Sequence, residues 1–320
     1  MYFVIRYYII TTENYYLHYY FDIDCLATLS IASNIVLGIG TNMNERFAFM
    51  PSIGFAFVLA ILGYRFANRM TAAKKLKELN QLKTVLGIFA LVLVLFSVKT
   101  VTRNTVWKDN FTLFTTDVHT SKMSAKLRNS AGGALIDKAS KTTNETERKR
   151  MLTEAVEHLR TAIQIHPTYK NAYLLLGNAN NYLQNYEESI QNYEMALRYD
   201  PNYQDAQNNL GITYREAGKY FGEQKGDLPK ALLYLKKAYD IRPNEYETVR
   251  LLGVAYGFNR QNQLAIDMFK KGTEIKPEDA DAWYNLGSAY YQAGDEATAK
   301  IYIDKALAIN PNIQNERGKR

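Results

Sequence analysis

The sequence is poor in cysteine and proline, with one cysteine and seven prolines among 320 residues. The single cysteine, Cys25, cannot form an internal disulfide, so a disulfide-stabilised fold is excluded. The four histidines lie far apart and have no metal-ligand spacing, so we predict no metal site. No arrangement of nucleophile, base and orienting group is present either. We therefore predict no catalytic residue and no cofactor.

The chain also lacks a concentrated patch of positive charge. Its net charge is +7, from 39 basic and 32 acidic residues, but the basic residues are scattered and are not interleaved with aromatic ones. Scattered charge is typical of solvated helix surfaces. Nucleic acid is therefore not an expected partner.

The second half of the sequence contains a regular repeat. Proline recurs from position 167 with spacings of 34, 42, 34 and 34 residues, and a glycine follows each of the first four prolines at a constant distance. Thirty-four residues is the period of the tetratricopeptide repeat (TPR), a pair of helices. The small residue lets the two helices approach closely, and the proline ends the second helix. The predicted structural positions are Gly177, Gly211, Gly253, Gly287, Trp283, Pro201, Pro243, Pro277 and Pro311.

The pattern predicts a right-handed TPR solenoid of about five repeats over residues 125–311. A connector, 102–124, precedes it, and a polar tail, 312–320, follows. Two polar insertions interrupt the period, at 140–149 and 220–227, and we place both in turns between helices. The fold class predicted for this half is all-α.

Such an array typically binds an extended peptide or a partner helix along the concave surface of its first helices. Asparagine can donate to and accept from a peptide backbone, and arginine can pair with a carboxylate. The alternative is that these side chains only form solvated helix faces. We predict a protein or peptide ligand, and the inward-facing residues are Asn171, Asn178, Asn208, Arg215, Arg250 and Tyr284.

The first hundred residues carry long uncharged stretches instead. Apolar runs at 23–41, 47–66 and 82–98 are near the length of about 20 residues that spans a bilayer. We predict about three transmembrane helices within residues 23–101, and a buried soluble helix is the alternative for any one run. The segment before them, 1–22, is rich in tyrosine and its structure is uncertain.

Loop charge predicts the orientation of these helices. The loop at 67–81 is basic, whereas the loop at 42–50 contains Arg46 as its only Lys or Arg residue. Basic loops stay in the cytoplasm. We therefore predict an integral membrane protein whose TPR domain lies on the non-cytoplasmic side, in the periplasm or the secretory lumen.

The order of motifs resembles a known family. "NERFAFMPSIGF", an apolar run, a basic loop, a second run, "TRNTVWKDNFTLF" and then TPRs are similar to the transmembrane and tetratricopeptide repeat-containing family of GT-C-type glycosyltransferases, with its bacterial relatives. The first motif matches at Glu45, Arg46, Phe47, Phe49, Pro51 and Ser52. The second matches at Arg103, Trp107, Asp109, Leu113 and Phe114.

The resemblance implies sugar transfer from a polyprenyl-phosphate donor on the non-cytoplasmic side. Arg46 would hold a lipid phosphate or form a gate, and Glu45 would orient it within a motif that includes Pro51 and Ser52. The alternative is an interfacial ion pair that anchors a helix end. The family carries its catalytic acid in an N-terminal membrane half that we expect to be absent here, so it stays open whether the chain is an enzyme.

Two functions follow from these observations. In the first, the chain is similar to the C-terminal part of a glycosyltransferase and recruits acceptor polypeptides. In the second, it is a membrane-tethered TPR scaffold for complex assembly, without an enzymatic role.

Overall fold

The computed structural model describes residues 101–317 and seven positions before them, 87, 90, 91, 94, 95, 98 and 99. The chain divides into two compact units, Met1–Val101 and Thr102–Arg320. The described positions of the first unit are helical. The architecture given below is that of the second unit.

The prediction of transmembrane helices is wrong for the part of the chain that the structure describes. No helix there is both long enough and apolar enough to cross a bilayer. The third predicted run, 82–98, is shorter than the roughly 20 residues that a span needs. The runs at 23–41 and 47–66 and the loop at 67–81 lie outside the described residues. So do the motif residues Glu45, Arg46, Pro51 and Ser52.

The second unit is built from helices joined by short turns, as the repeat pattern predicts. A 3-10 helix, Thr105–Lys108, follows the α-helical residues 102–104 within the predicted connector. The α-helices that follow are α1 (Asn110–Thr120), α2 (Ala125–Ser140), α3 (Glu145–Ile165), α4 (Lys170–Tyr182), α5 (Tyr186–Tyr199), α6 (Gln204–Glu223), α7 (Leu228–Ile241), α8 (Tyr246–Phe258), α9 (Asn262–Ile275), α10 (Ala280–Gln292), α11 (Glu296–Ile309) and α12 (Ile313–Arg317).

Helices α2 to α11 form five consecutive pairs. The two helices of a pair pack against each other and are joined by a turn of three or four residues, which makes them antiparallel. Four of these turns contain a residue with positive φ: Gln184, Gly226, Arg260 and Gly294. Neighbouring pairs also contact each other through their first helices. The predicted all-α solenoid of helix pairs is confirmed.

Prolines and small residues define each pair. The predicted prolines stand two residues after the ends of α5, α7, α9 and α11, where they cannot interrupt a helix. The predicted glycines lie in the first helices. A Cβ added at three of them would come within 2.6–2.8 Å of a side chain of the second helix, at Gly177 against Tyr193, Gly253 against Phe269 and Gly287 against Ile303.

The two polar insertions are part turn and part helix, so their prediction as turns is right for 141–144 and 224–227 and wrong for the rest of each segment. Helix α3 already begins at Glu145, and the segment 220–223 is the last turn of α6. Helix α6 has 20 residues, whereas α4 and α8 have 13. The chain continues the helix because the added backbone donors and acceptors are then paired within it.

The longer α6 shifts its pairing with α7. A Cβ at Gly211 would meet side-chain atoms of Ile241 and Arg242 at 3.0–3.1 Å, near the end of α7. A Cβ at Gly218 would lie 2.6 Å from Leu235, in the middle of α7. The two glycines are seven residues apart, which is about two helical turns, so both lie on one face. In this pair, the two helices therefore approach each other most closely at Gly218.

The predicted polar tail after Pro311 contains a short helix. Helix α12 packs its first residue, Ile313, into the array with 2% of its surface exposed. Burying this one apolar side chain fixes the start of the segment. Arg317, the last residue of α12, then hydrogen-bonds Asp281 and Asn285 on the first helix α10.

Candidate functional site

Three asparagines and one leucine form a stripe on helix α4. Asn171, Leu174, Asn178 and Asn181 are spaced by three or four residues and therefore share one face of the helix. The neighbouring first helices carry the other predicted residues, Asn208 and Arg215 on α6, Arg250 on α8 and Tyr284 on α10. We call the surface formed by these eight residues the groove.

Asn178 and Asn171 are held in place through their side-chain oxygens. Asn178 Oδ1 accepts from the Tyr193 hydroxyl at 2.7 Å and from Asn209 Nδ2 at 2.9 Å. Asn171 Oδ1 accepts from the Tyr203 hydroxyl at 3.0 Å. Among the described residues, neither Nδ2 group donates to a protein acceptor. The two amides thus offer fixed donors to a ligand.

Asn181 continues this stripe, although the sequence reasoning missed it. Its Oδ1 is buried and accepts no hydrogen bond within the described chain. An unpaired buried acceptor costs about 1–3 kcal/mol, so a ligand N–H there would be favourable. Its spacing of three residues from Asn178 is the signal that could have identified it.

Arg215 is engaged by carboxylates of the chain itself. Its guanidinium contacts Glu216 at 2.7 Å and also hydrogen-bonds Glu245, which immediately precedes α8. Asn208, seven residues before it, is exposed and accepts from Gln204 Nε2 at 3.3 Å. Arg215 therefore joins two repeats, and Asn208 is the more accessible of the two residues.

Arg250 is similarly engaged. Two of its nitrogens donate to Glu247 at 2.7 and 2.9 Å. The hydrogen bond from Arg250 holds the pKa of the Glu247 carboxyl below its usual range, against the raising effect of burial. Pairing of Arg250 or Arg215 with a ligand carboxylate stays a prediction, since each arginine already has a carboxylate partner.

Tyr284 lies beneath an arginine from α12. The Arg317 guanidinium carbon stands 4.7 Å from the Tyr284 ring centre. Its Nη1 donates to Asp281 Oδ1 at 2.7 Å, and its Nη2 donates to Asn285 Oδ1 at 2.8 Å. The sequence reasoning treated this segment as a polar tail and assigned Arg317 no partner.

Two cavities flank Arg317 between α8 and α10. Their volumes are about 490 and 560 Å³, and both are lined by Asn285 and Arg317. The first is rich in charged groups, and its other lining residues are Tyr246, Glu247, Arg250, Asp279 and Asp281. The second is more apolar and includes Val254, Phe258 and Phe269. The space between these helices can therefore accept side chains of a ligand.

Three first helices end in an exposed aromatic residue. Tyr182, Phe258 and Tyr291 stand in the last turns of α4, α8 and α10, with 52%, 78% and 62% of their surfaces exposed. Tyrosine and phenylalanine side chains supply large apolar area when a ligand covers them. In the described part of the chain, no cluster of His, Cys, Asp and Glu could hold a metal ion.

Models of the tetratricopeptide repeat match residues 168–244, 261–294 and 280–313. The predicted TPRs are therefore confirmed in these segments. A solved structure with a similar fold is YrrB, described as a TPR protein with an unusual peptide-binding site. Its TM-score is 0.44 and its identity 24%, over 62% of this chain and 93% of that chain.

The curated relatives include O-mannosyl-transferases. Human Protein O-mannosyl-transferase TMTC3 is 24% identical over 298 residues, which cover 90% of this chain and 30% of that protein. Human Protein O-mannosyl-transferase TMTC1 is 29% identical over 150 residues, 46% of this chain and 14% of that protein. The chain thus spans less than a third of either relative. The predicted resemblance is confirmed in part: the TPRs and the similarity to these transferases at low identity are found, whereas the GT-C-like membrane part is not shown.

Proposed function

We propose that this chain binds an extended polypeptide segment along the groove. The observation that supports this function most directly is the pair of donors on α4. The side-chain oxygens of Asn171 and Asn178 are occupied by hydrogen bonds from the protein, so their Nδ2 groups are the parts available to a ligand. Backbone carbonyls of an extended segment are suitable acceptors for these amides.

The dimensions of the groove suit an extended segment. First helices of adjacent repeats pack with axes about 8–10 Å apart, and an extended chain rises about 3.3 Å per residue. The ligand therefore meets one first helix about every three residues. Its side chains would contact the exposed rings of Tyr182, Phe258 and Tyr291, which adds apolar area to backbone recognition.

The test is an isosteric change that removes only the donor. Asn178→Asp keeps the oxygen that Tyr193 and Asn209 bond, but it replaces the amide nitrogen by an acceptor. Peptides are first selected on the full chain from a phage library of random dodecapeptides, and their affinities are measured by fluorescence anisotropy. A ligand carbonyl facing the new carboxylate loses its hydrogen bond, which costs about 1–3 kcal/mol and weakens binding roughly tenfold or more.

The matched control is Asn202→Asp. Asn202 is exposed in the turn before α6, outside the groove, and the substitution adds the same charge. Unchanged affinity in this variant, with a loss in Asn178→Asp and in Asn171→Asp, supports the proposal. Equal affinity of all four chains for every selected peptide refutes it.

We further propose that the bound segment is an acceptor polypeptide for glycosyl transfer. The observation that favours this candidate is the similarity to the two O-mannosyl-transferases, which reaches beyond the TPRs to 90% of this chain in one of them. Polyprenyl-phosphate sugar as donor, Arg46 as its phosphate ligand and the non-cytoplasmic location of the groove remain parts of this proposal. The alternative is a scaffold that binds the same segments without any transfer.

One comparison separates the two candidates. Full chains carrying Arg46→Ala or Asn178→Asp are expressed in cells with a selected peptide fused to a secreted reporter, and hexose on the peptide is measured by mass spectrometry. Recruitment for transfer predicts that both variants lower the hexose content, while only Asn178→Asp weakens binding. A scaffold predicts no change in hexose with either variant.

A further inference from the structure

The contacts of Arg317 have the chemistry of a binding site. Its two terminal nitrogens reach different acceptors, Asp281 and Asn285, at 2.7 and 2.8 Å, and its flat face lies over the Tyr284 ring. The planar fork of a guanidinium can make both hydrogen bonds and stack at the same time, whereas a lysine ammonium cannot. The site is therefore shaped for arginine in particular.

The charge around the site also favours a cation. The polar cavity carries three carboxylates, from Glu247, Asp279 and Asp281, and two guanidinium groups, from Arg250 and Arg317. Arg250 is already paired with Glu247. If the Arg317 side chain left, the cavity would keep its three carboxylates and lose one of its two guanidinium groups, so this part of the groove would attract a positive group.

Arg317 reaches this position from α12, a short helix whose one buried residue is Ile313. Ile313 is buried, whereas Arg317 retains 32% of its side-chain surface exposed. A side chain held by partly exposed polar contacts can leave while the apolar anchor stays in place. The two cavities on either side of it continue the space along α8 and α10.

We propose that the space between α8 and α10 is an arginine-recognition site of the groove, which Arg317 occupies in place of an arginine side chain of the bound polypeptide. The inference rests on the proposed function and specifies its ligand as an extended segment that carries arginine. Arg317 then acts as an internal competitor, because the ligand has access only to the fraction of molecules in which this side chain has moved away.

The test removes the competitor and varies the ligand by one group. The probe is a fluorescein-labelled, amidated peptide with the sequence of residues 311–317, PNIQNER, and its partner carries citrulline in place of arginine. Citrulline has the same shape and no charge. Full chains of the wild type, Arg317→Ala and Arg317→Gln are compared, with Arg198→Ala, an exposed arginine on α5, as the matched control.

We expect Arg317→Ala and Arg317→Gln to bind the arginine peptide roughly tenfold more tightly than the wild type and the control, because the competitor is gone. The citrulline peptide should bind all four chains equally weakly. Adding Asp281→Asn to Arg317→Gln should cancel the gain. Arg317→Gln keeps a polar side chain of similar length, so it serves if Arg317→Ala does not fold.

Equal binding of the arginine peptide by wild type and both Arg317 variants overturns the proposal, and so does equal binding of the two peptides by Arg317→Gln. The experiments distinguish a failure of the arginine site from a failure of the proposed polypeptide binding in the groove. If selected peptides lose affinity with Asn178→Asp but are indifferent to arginine, the groove binds polypeptide and the arginine site is refuted. If Asn178→Asp has no effect while the arginine peptide behaves as expected, arginine recognition between α8 and α10 is supported and the proposed role of the α4 donors is refuted.

Discussion

The pairing of α6 with α7 decides which glycine of α6 tolerates alanine. The repeat pattern would assign the close approach to Gly211, which stands ten residues after a proline as in the other repeats, but the structure places it at Gly218. A third glycine, Gly222, lies one turn further along the same helix, where an added Cβ would meet only Ala231 Cβ at 3.4 Å. Alanine at each of the three positions is the perturbation.

The expected free energies follow from these distances. Alanine in place of a helical glycine stabilises by about 0.5–1 kcal/mol when space permits. At Gly218 the new Cβ would lie 2.6 Å from Leu235 Cγ and 3.2 Å from the Ala231 carbonyl oxygen. Leu235 is only 2% exposed and cannot move into solvent. Overpacking of this kind costs about 1–3 kcal/mol, so Gly218→Ala should be net destabilising by about 1–2 kcal/mol.

Gly222→Ala should raise the free energy of unfolding by about 0.5 kcal/mol because its surroundings are open. Gly211→Ala should be nearly neutral, since the atoms that it meets at 3.0–3.1 Å belong to the flexible Arg242 and to Ile241. Urea denaturation followed by circular dichroism measures all three. A larger loss at Gly211 than at Gly218 would refute the shifted pairing.

Three further predictions concern other parts of the array. Burial and the neighbouring Arg128 hold the pKa of His158 below its usual value of 6.5. Because the unfolded state then binds more protons than the folded state, thermal stability should fall as pH drops through about 6.5. That part of the pH dependence should vanish in His158→Gln, and an identical profile would contradict it. Glu245→Gln should lower the free energy of unfolding by about 1–2 kcal/mol, because Arg215 loses a charged partner in the neighbouring repeat. In a double-mutant cycle measured by urea denaturation, Glu245→Gln and Arg215→Gln together should cost less than the sum of the two single losses. Ile313→Ala should cost about 2 kcal/mol and speed hydrogen exchange in α12, whereas unchanged exchange would show that Ile313 does not anchor the segment.

The repeats were predictable from the sequence because their physical causes are local. A proline that cannot continue a helix and a glycine that admits a close neighbour recur with the period of one helix pair. The same regularity predicts the inward positions, since residues three, four and seven apart share a helix face. Asn171 and Asn178 therefore lie together on α4.

The partners of the groove residues could not be predicted in this way. Arg215 meets Glu245 and Arg317 meets Asp281 across about one repeat, so these contacts depend on packing between separate helices. The boundary between helix and turn in the insertion before α7 could not be predicted either, because its polar residues suit a turn or the last turn of a helix equally well. Apolar composition alone also overstated the transmembrane character of the run at 82–98, which is short for a bilayer.

The most direct test of the groove is the position at which a ligand touches the chain. A photo-cross-linking amino acid is introduced at position 208, exposed on first helix α6, or at position 233, where Leu233 is 52% exposed on second helix α7. Each chain is irradiated with a peptide selected on the wild type. Binding in the groove predicts a cross-link from position 208 that excess unlabelled peptide abolishes, and none from position 233. A cross-link from position 233 alone would contradict the account.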